Sequence, residues 1–281
     1  MMMLKLFLLA ILPLAFAYVN ETLSASWDYN QAQIGLWLSA AAYCGKSAYK
    51  SHVFKGPTTG FVVTSVISDT ATDTEGYVGY LPSDKSIYVA FRGSSSIRNW
   101  ISNLDAWKTS YTSFSECNCQ VHKGFYEAEQ KVIGGIISAV KSLKTKYPSY
   151  SVKTTGHSLG AALAQLTSMD LVKAGYTTTV YNFGQPRTGD KAYASFATGK
   201  VPTWRVVHNK DIVPHLPLTT GMEYYHVCRE EFENASGSLK TCDTSCEDPT
   251  CSDQYSGSQL NVDDHLTYLG FPISDCSAVS R

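Results

Sequence analysis

Apolar residues recur along this chain with two periods, and the alternation between them is the first structural signal. In residues 30–44, Ile34, Leu36, Trp37, Leu38 and Ala41 fall at helical spacing. Ser-Ile-Tyr-Val-Ala-Phe at 86–91 reads as a buried strand running into Arg92-Gly93. A long amphipathic helix is predicted over 128–146, with Val132, Ile133, Ile136, Ile137, Val140 and Leu143 on one stripe and Pro148 as its stop. Residues 150–155 read as a short strand, 161–174 as a helix, 177–183 as a strand and 203–208 as another. This succession predicts an α/β fold, a mostly parallel central sheet with helices on both faces. Sheets of that kind place their chemistry at the carboxyl ends of the strands.

No repeat or low-complexity linker divides the chain, so residues 18–281 read as a single domain. Before it, Lys5 followed by the apolar stretch Leu6 to Phe16 and the small-x-small run Ala15-Phe16-Ala17 predicts a signal peptide over 1–17. That stretch falls short of the ~20 residues that span a bilayer, and no later one is apolar enough. The expectation is a secreted, extracellular protein, monomeric by default, without a transmembrane segment. A hydrophobic content of 44% supports a sizeable core, and a formal net charge of −1 gives no field to recruit nucleic acid. Eight cysteines, Cys44, Cys117, Cys119, Cys228, Cys242, Cys246, Cys251 and Cys276, suit an oxidising compartment and predict disulfides; no Cys-x-x-Cys pair with flanking histidine suggests zinc. The sequons at Asn20 and Asn234 are compatible with glycosylation. Residues 228–261 turn polar, small and cysteine-rich, and read as a stapled surface excursion.

The chemistry centres on Gly156-His157-Ser158-Leu159-Gly160, a Gly-x-Ser-x-Gly motif between a predicted strand and a predicted helix. Such a turn lifts the Ser158 hydroxyl clear of the sheet at the positive end of the helix and aims the Leu159 N–H where an oxyanion would form. A serine hydroxyl needs a base to take its proton and a carboxylate to fix that base's tautomer, and on this fold the chain order is Ser, then acid, then His. Asp211 follows the 203–208 strand and fits the acid, whereas Asp190 reads as a helix cap. Of the later histidines, His208 and His215 lie too near Asp211 in sequence. Chain order favours His265 over His226, which reads as a structural imidazole; Asp263 and Asp264 beside His265 are expected to be solvated.

Six ordered blocks then resemble the class 3 lipases, the fungal-type triacylglycerol lipases with an α/β-hydrolase fold. They are Phe91-Arg92-Gly93-Ser94-Ser95-Ser96-Ile97-Arg98-Asn99-Trp100-Ile101, Val121-His122-Lys123-Gly124-Phe125, Thr155-Gly156-His157-Ser158-Leu159-Gly160, Asn182-Phe183-Gly184-Gln185-Pro186-Arg187, Asp211-Ile212-Val213-Pro214-His215-Leu216-Pro217 and Asp264-His265-Leu266-Thr267-Tyr268. The resemblance implies Ser158 as nucleophile, Asp211 as orienting acid and His265 as base, and it separates His265 from His226. It also implies Ser94 as first oxyanion donor with Leu159 as second, disulfides Cys44–Cys276 and Cys117–Cys119, and no cofactor or metal. Pairing among Cys228, Cys242, Cys246 and Cys251 stays open among three connectivities.

Directly after Ser94, Ile97, Trp100, Ile101, Leu104 and Trp107 recur at helical spacing. They predict a lid whose apolar face covers the site in water and turns onto lipid. Ile212, Val213, Leu216 and Leu218 flank Asp211 as candidates for an acyl-binding groove. The expected substrates are long-acyl glycerides. A phospholipase A1, a feruloyl-type esterase and a catalytically silent lipid-binding protein are the alternatives.

Overall fold

The computed structural model describes residues 26–242, 245–273 and 275–279. The expected signal peptide and the Asn20 sequon lie outside them. Helix α1 (Tyr29–Ala41) opens on an Asp28 cap whose carboxylate accepts the Asn30 and Gln31 N–H groups. An antiparallel pair, β1 (Val62–Asp69) and β2 (Thr74–Leu81), leads into β3 (Ser86–Phe91). Then come α2 (Ile97–Asn103), the short β4 (Lys108–Ser110) and β5 (Gln120–His122), and the long α3 (Lys123–Lys146). The remaining core alternates β6 (Ser151–His157), α4 (Leu159–Lys173), β7 (Thr178–Phe183), α5 (Lys191–Lys200) and β8 (Thr203–His208). Strands β9 (Glu230–Glu233) and β10 (Leu239–Cys242) follow.

The principal sheet has the order β1-β2-β3-β6-β7-β8-β9-β10. Its centre, β3 through β9, pairs in parallel, and the antiparallel pairs sit at its two ends. Strand β3 shows how side chains divide between two cores. Ile87, Val89 and Phe91 face a cluster built with α3 and α4, where Val132, Ile136, Val140 and Leu166 pack. Tyr88 and Ala90 face the opposite cluster, with Leu36 and Leu38 of α1 and Phe183. A sheet buried on both faces needs apolar residues at nearly every position, and all six residues of β3 are buried.

The elements read from periodicity appear within a few residues of their expected ends. The long helix starts earlier than expected, at Lys123, because the His122 ring accepts the Phe125 N–H and caps it. The segment expected as one apolar helical stripe differs more: α2 ends at Asn103, so Leu104 and Trp107 lie beyond it. Trp107 is 72% exposed. The excursion is not wholly a surface feature, since it supplies two strands to the sheet. It also forms the pairs Cys228–Cys246 and Cys242–Cys251, which decides the connectivity left open; Cys44–Cys276 and Cys117–Cys119 pair as the resemblance implied.

Candidate active site

Strand β6 runs to His157, α4 begins at Leu159, and the whole reversal falls on Ser158. Its backbone stands at φ 59°, ψ −130°, a region that L-residues rarely occupy and that marks stored strain. The flanking glycines permit the close approach. A Cβ on Gly156 would lie 2.2 Å from the Gly160 carbonyl oxygen, and one on Gly160 would lie 2.6 Å from that of Arg92. Any side chain at either position would push helix or loop off the strand. The Ser158 N–H donates to the Phe183 carbonyl at 3.0 Å, fixing the turn against β7.

Asp211 lies just past the end of β8, where the fold places an acid. Its Oδ1 accepts the Val213 N–H at 2.8 Å, and its Oδ2 accepts from His265 Nδ1 at 2.8 Å. The Tyr268 hydroxyl donates to the same Oδ2. Asp211, His265 and Ser158 are all fully buried. With Nδ1 committed to the carboxylate, His265 keeps the tautomer that leaves Nε2 able to take a proton. Ser158 Oγ and His265 Nε2 have no hydrogen-bond partner in this structure, and both are shielded from solvent.

A second relay ties the elbow to the His265 turn. Burial, with His265 alongside, holds His157 well below the ordinary histidine range, so it is neutral. Its Nε2–H donates to the His265 carbonyl at 2.8 Å, which leaves Nδ1 to accept the Tyr43 hydroxyl at 2.7 Å. Asp264, expected to be solvated, is instead a fastener. Its carboxylate accepts from Asn209 Nδ2, the Lys210 N–H and Asn261 Nδ2, at 2.8–3.1 Å, and locks the acid loop to the His265 turn. Asp263 is exposed, as expected of a solvated residue, and pairs with Arg98 of α2 at 2.8 Å. His226 is the structural imidazole expected, buried and bonded to the Pro214 carbonyl; Asp190 caps α5 by accepting the Tyr193 N–H.

Ser94 sits on the loop after β3. Arg92 anchors that loop through Asp73 at 2.7 Å and Glu75 at 3.1 Å. Ser94 Oγ accepts the Ser96 N–H at 3.3 Å, so the expected oxyanion donor belongs to the turn that launches α2. Ile97, Trp100 and Ile101 are half-buried, and the Trp100 ring stacks 6.2 Å from Phe125. Two cavities flank this segment. One, of about 340 Å³, reaches Leu159 and is lined by Trp100, Leu104, His122 and Phe125. The other, of about 500 Å³, is mostly apolar and is lined by Ile101, Leu104, Trp107, Leu216, Leu218 and Met222. Leu216 and Leu218 therefore line a groove as expected. Ile212 and Val213 are not among the residues lining this cavity, and Val213 is buried in the 213–215 turn.

Tyr43 and Tyr268 were not assigned roles from sequence. Tyr268 closes the last family block, three residues after His265, whereas nothing local marks Tyr43. Residues 88–221 match the family described as Lipase (class 3). The chain is 34% identical over 270 residues to a lipase of Rhizomucor miehei, covering 90% of this chain and 72% of that protein. It is 37% identical over 175 residues to the secreted mono- and diacylglycerol lipase A of Penicillium camembertii, 61% of this chain and 56% of that one. Among solved structures, the Rhizomucor miehei triacylglyceride lipase superposes with a TM-score of 0.82 at 32% identity, covering 90% of this chain and 98% of that one. Lipase II from Rhizopus niveus gives 0.80 at 25%, covering 93% and 97%.

Proposed function

The chain belongs to the class 3 lipases, carboxylic ester hydrolases, and from that premise we propose that it hydrolyses long-acyl glycerides at a lipid–water interface with Ser158 as nucleophile, His265 as base and Asp211 as orienting acid. The observation that carries the assignment is the buried His265–Asp211 pair, held at 2.8 Å, with the His265 ring 4.3 Å from that of His157, the residue before the strained Ser158 turn. Ser158 Oγ attacks the ester carbonyl while His265 Nε2 takes its proton. Ser94 and the Leu159 N–H stabilise the oxyanion; His265 protonates the departing alcohol, and water then hydrolyses the acyl-enzyme. Because the nucleophile is buried, substrate reaches it only after α2 moves, and the apolar lining of the two cavities suits an acyl chain. Secretion fits the four cysteine pairs and the similarity to the secreted mono- and diacylglycerol lipase A of Penicillium camembertii.

The test is fatty-acid release from emulsified tributyrin, triolein and diolein alongside methyl ferulate, for wild type and Ser158→Ala. Glyceride hydrolysis abolished by the substitution is the expected result. Turnover of ferulate alone would keep the nucleophile and reject the glyceride reading, and an absence of Ser158-dependent release would favour a silent lipid binder.

A further inference from the structure

Arg187, in the loop after β7, is a buried cation that the hydrolytic steps do not use. Its backbone N–H donates to the Leu216 carbonyl at 2.8 Å. Its Nη1 donates to the carbonyls of His215 at 2.7 Å and Pro217 at 3.1 Å. One residue therefore holds three successive carbonyls, 215 to 217. The other edge of the guanidinium makes a fork with Glu247: Nε lies 3.1 and 3.2 Å from the two carboxylate oxygens and Nη2 lies 2.8 Å from one. Asp253 Oδ1 stands farther off, 3.5 Å from Nη2.

Glu247 comes from the cysteine-rich excursion, next to Cys246, which pairs with Cys228. It also accepts the His226 N–H at 2.7 Å. Burial alone would raise its carboxyl, but the Arg187 bonds and charge hold it below the ordinary range and keep it ionised. A forked arginine–carboxylate pair fixes the plane of the guanidinium as well as its position. The plane decides whether Nη1 points at both carbonyls.

The backbone so held carries Leu216, Pro217 and Leu218, which line the 500 Å³ cavity opposite Ile101 and Trp107. We propose that Glu247, acting through Arg187, is a positioning residue for acyl-chain selection: the cysteine-rich excursion braces the 215–218 wall against which a long acyl chain lies. This rests on the glyceride reading above. The Asp211 carboxylate is held by the Val213 N–H, outside the 215–217 span that Arg187 grips; His215, inside that span, meets Asp211 only at its main-chain carbonyl. The brace therefore affects chain length more than chemistry.

The experiment compares kcat and KM on p-nitrophenyl butyrate and p-nitrophenyl laurate in detergent micelles for wild type, Glu247→Gln and Glu247→Asp. Active sites are counted by a phosphonate ester that labels Ser158, so misfolded protein does not enter the rates. Glu247→Gln is expected to raise KM for laurate roughly tenfold while kcat changes less than about threefold on either ester. Glu247→Asp keeps the charge on a shorter arm and is expected to fall between, with a laurate KM up by about threefold; it carries the same comparison if the glutamine variant does not fold. Equal losses on both esters, or an unchanged laurate KM in both variants, would overturn the brace. Wild type that hydrolyses neither ester and takes no phosphonate would instead overturn the reading of the site on which the brace depends.

Discussion

Asp211 Oδ2 receives two donors, His265 Nδ1 and the Tyr268 hydroxyl, in a place water does not reach. Burial and the Asp211 charge hold the Tyr268 phenol well above the ordinary tyrosine range, so it stays a donor. Tyr268→Phe would leave the carboxylate one bond short as His265 gains its positive charge. A hydrogen bond to a charged group contributes about 1.5–3 kcal/mol to the fold, so the thermal midpoint is expected to fall, and kcat falls as well, by about tenfold, to the extent that the bond strengthens as His265 charges. An unchanged kcat would show that Tyr268 only fills space. Ser94→Ala tests the other pole of the reaction: loss of one oxyanion donor typically costs about 10²–10³ in kcat. Since Ser94 Oγ also accepts the Ser96 N–H, the variant should also alter how α2 is launched, and comparing monomeric with emulsified substrate separates the two effects. The three residues of the proposed triad were legible because chain order on this fold is so restrictive. Tyr43 was not, because its role depends on where α1 meets the oxyanion loop, which no local pattern records.

Legibility at the level of elements followed burial. Strand β3 is a nearly continuous apolar run because both faces are covered; β7 and β8 mix Val, Tyr, Phe and Trp with polar residues but are rich in β-branched and aromatic side chains, and the ends of all three were readable to within a residue. Strand β1 lies at the sheet edge, sets apolar and polar residues in pairs (Val62-Val63, Thr64-Ser65, Val66-Ile67), and buries only Ile67, so it left no clear period of two. Strand β2 is interrupted by Gly76 and Gly79. Strand β9 reads Glu-Glu-Phe-Glu, yet all four residues are buried, because Glu230 meets Arg205 and Ser252 while Glu233 accepts the Leu269 N–H. Hydropathy cannot announce a strand whose buried acids find partners far along the chain. The segment proposed as a lid was half legible: the stripe continues to Trp107, but only Ile97–Asn103 is helical. Trp100 holds it to the body through Phe125 and the cavity beside Leu159, and Arg98 through its exposed pair with Asp263. Trp100→Ala is therefore expected to raise hydrolysis of monomeric short-chain ester and shrink the rise seen when substrate passes its solubility limit. A jump as large as that of wild type would exclude Trp100 as the closing contact.

At the scale of the whole molecule, Cys44–Cys276 clamps the turn that follows α1 to the helical turn Cys276–Val279 across 232 residues, while a buried acidic pair sits where α3 packs on α4. Gln130 Nε2 donates to both carboxyls of that pair, Glu129 and Asp170, at 2.8 Å each. Burial, reinforced for Glu129 by the Asp170 charge, raises both above their ordinary values, Glu129 well above 4.5; hydrogen bonds from Ser113 and Gln130, and then the Lys173 charge, offset part of the shift on Asp170, and the Gln130 bond offsets part of that on Glu129. The sign of the consequence follows from linkage. Below the unfolded value of 4.5, Glu129 is protonated in both states and costs nothing. As pH rises past it, the unfolded chain releases a proton that the folded chain retains, and stability falls until the folded group titrates as well. Glu129→Gln presents a neutral group of the same shape at every pH, so its thermal midpoint should gain on wild type as pH rises, by on the order of 3 °C between about pH 5 and about pH 8 for a chain of this size. A gap that stays constant over that range would mean that Glu129 ionises in the folded protein as it does in the unfolded chain, and the helix interface would then have to accommodate two buried negative charges beside a single glutamine amide.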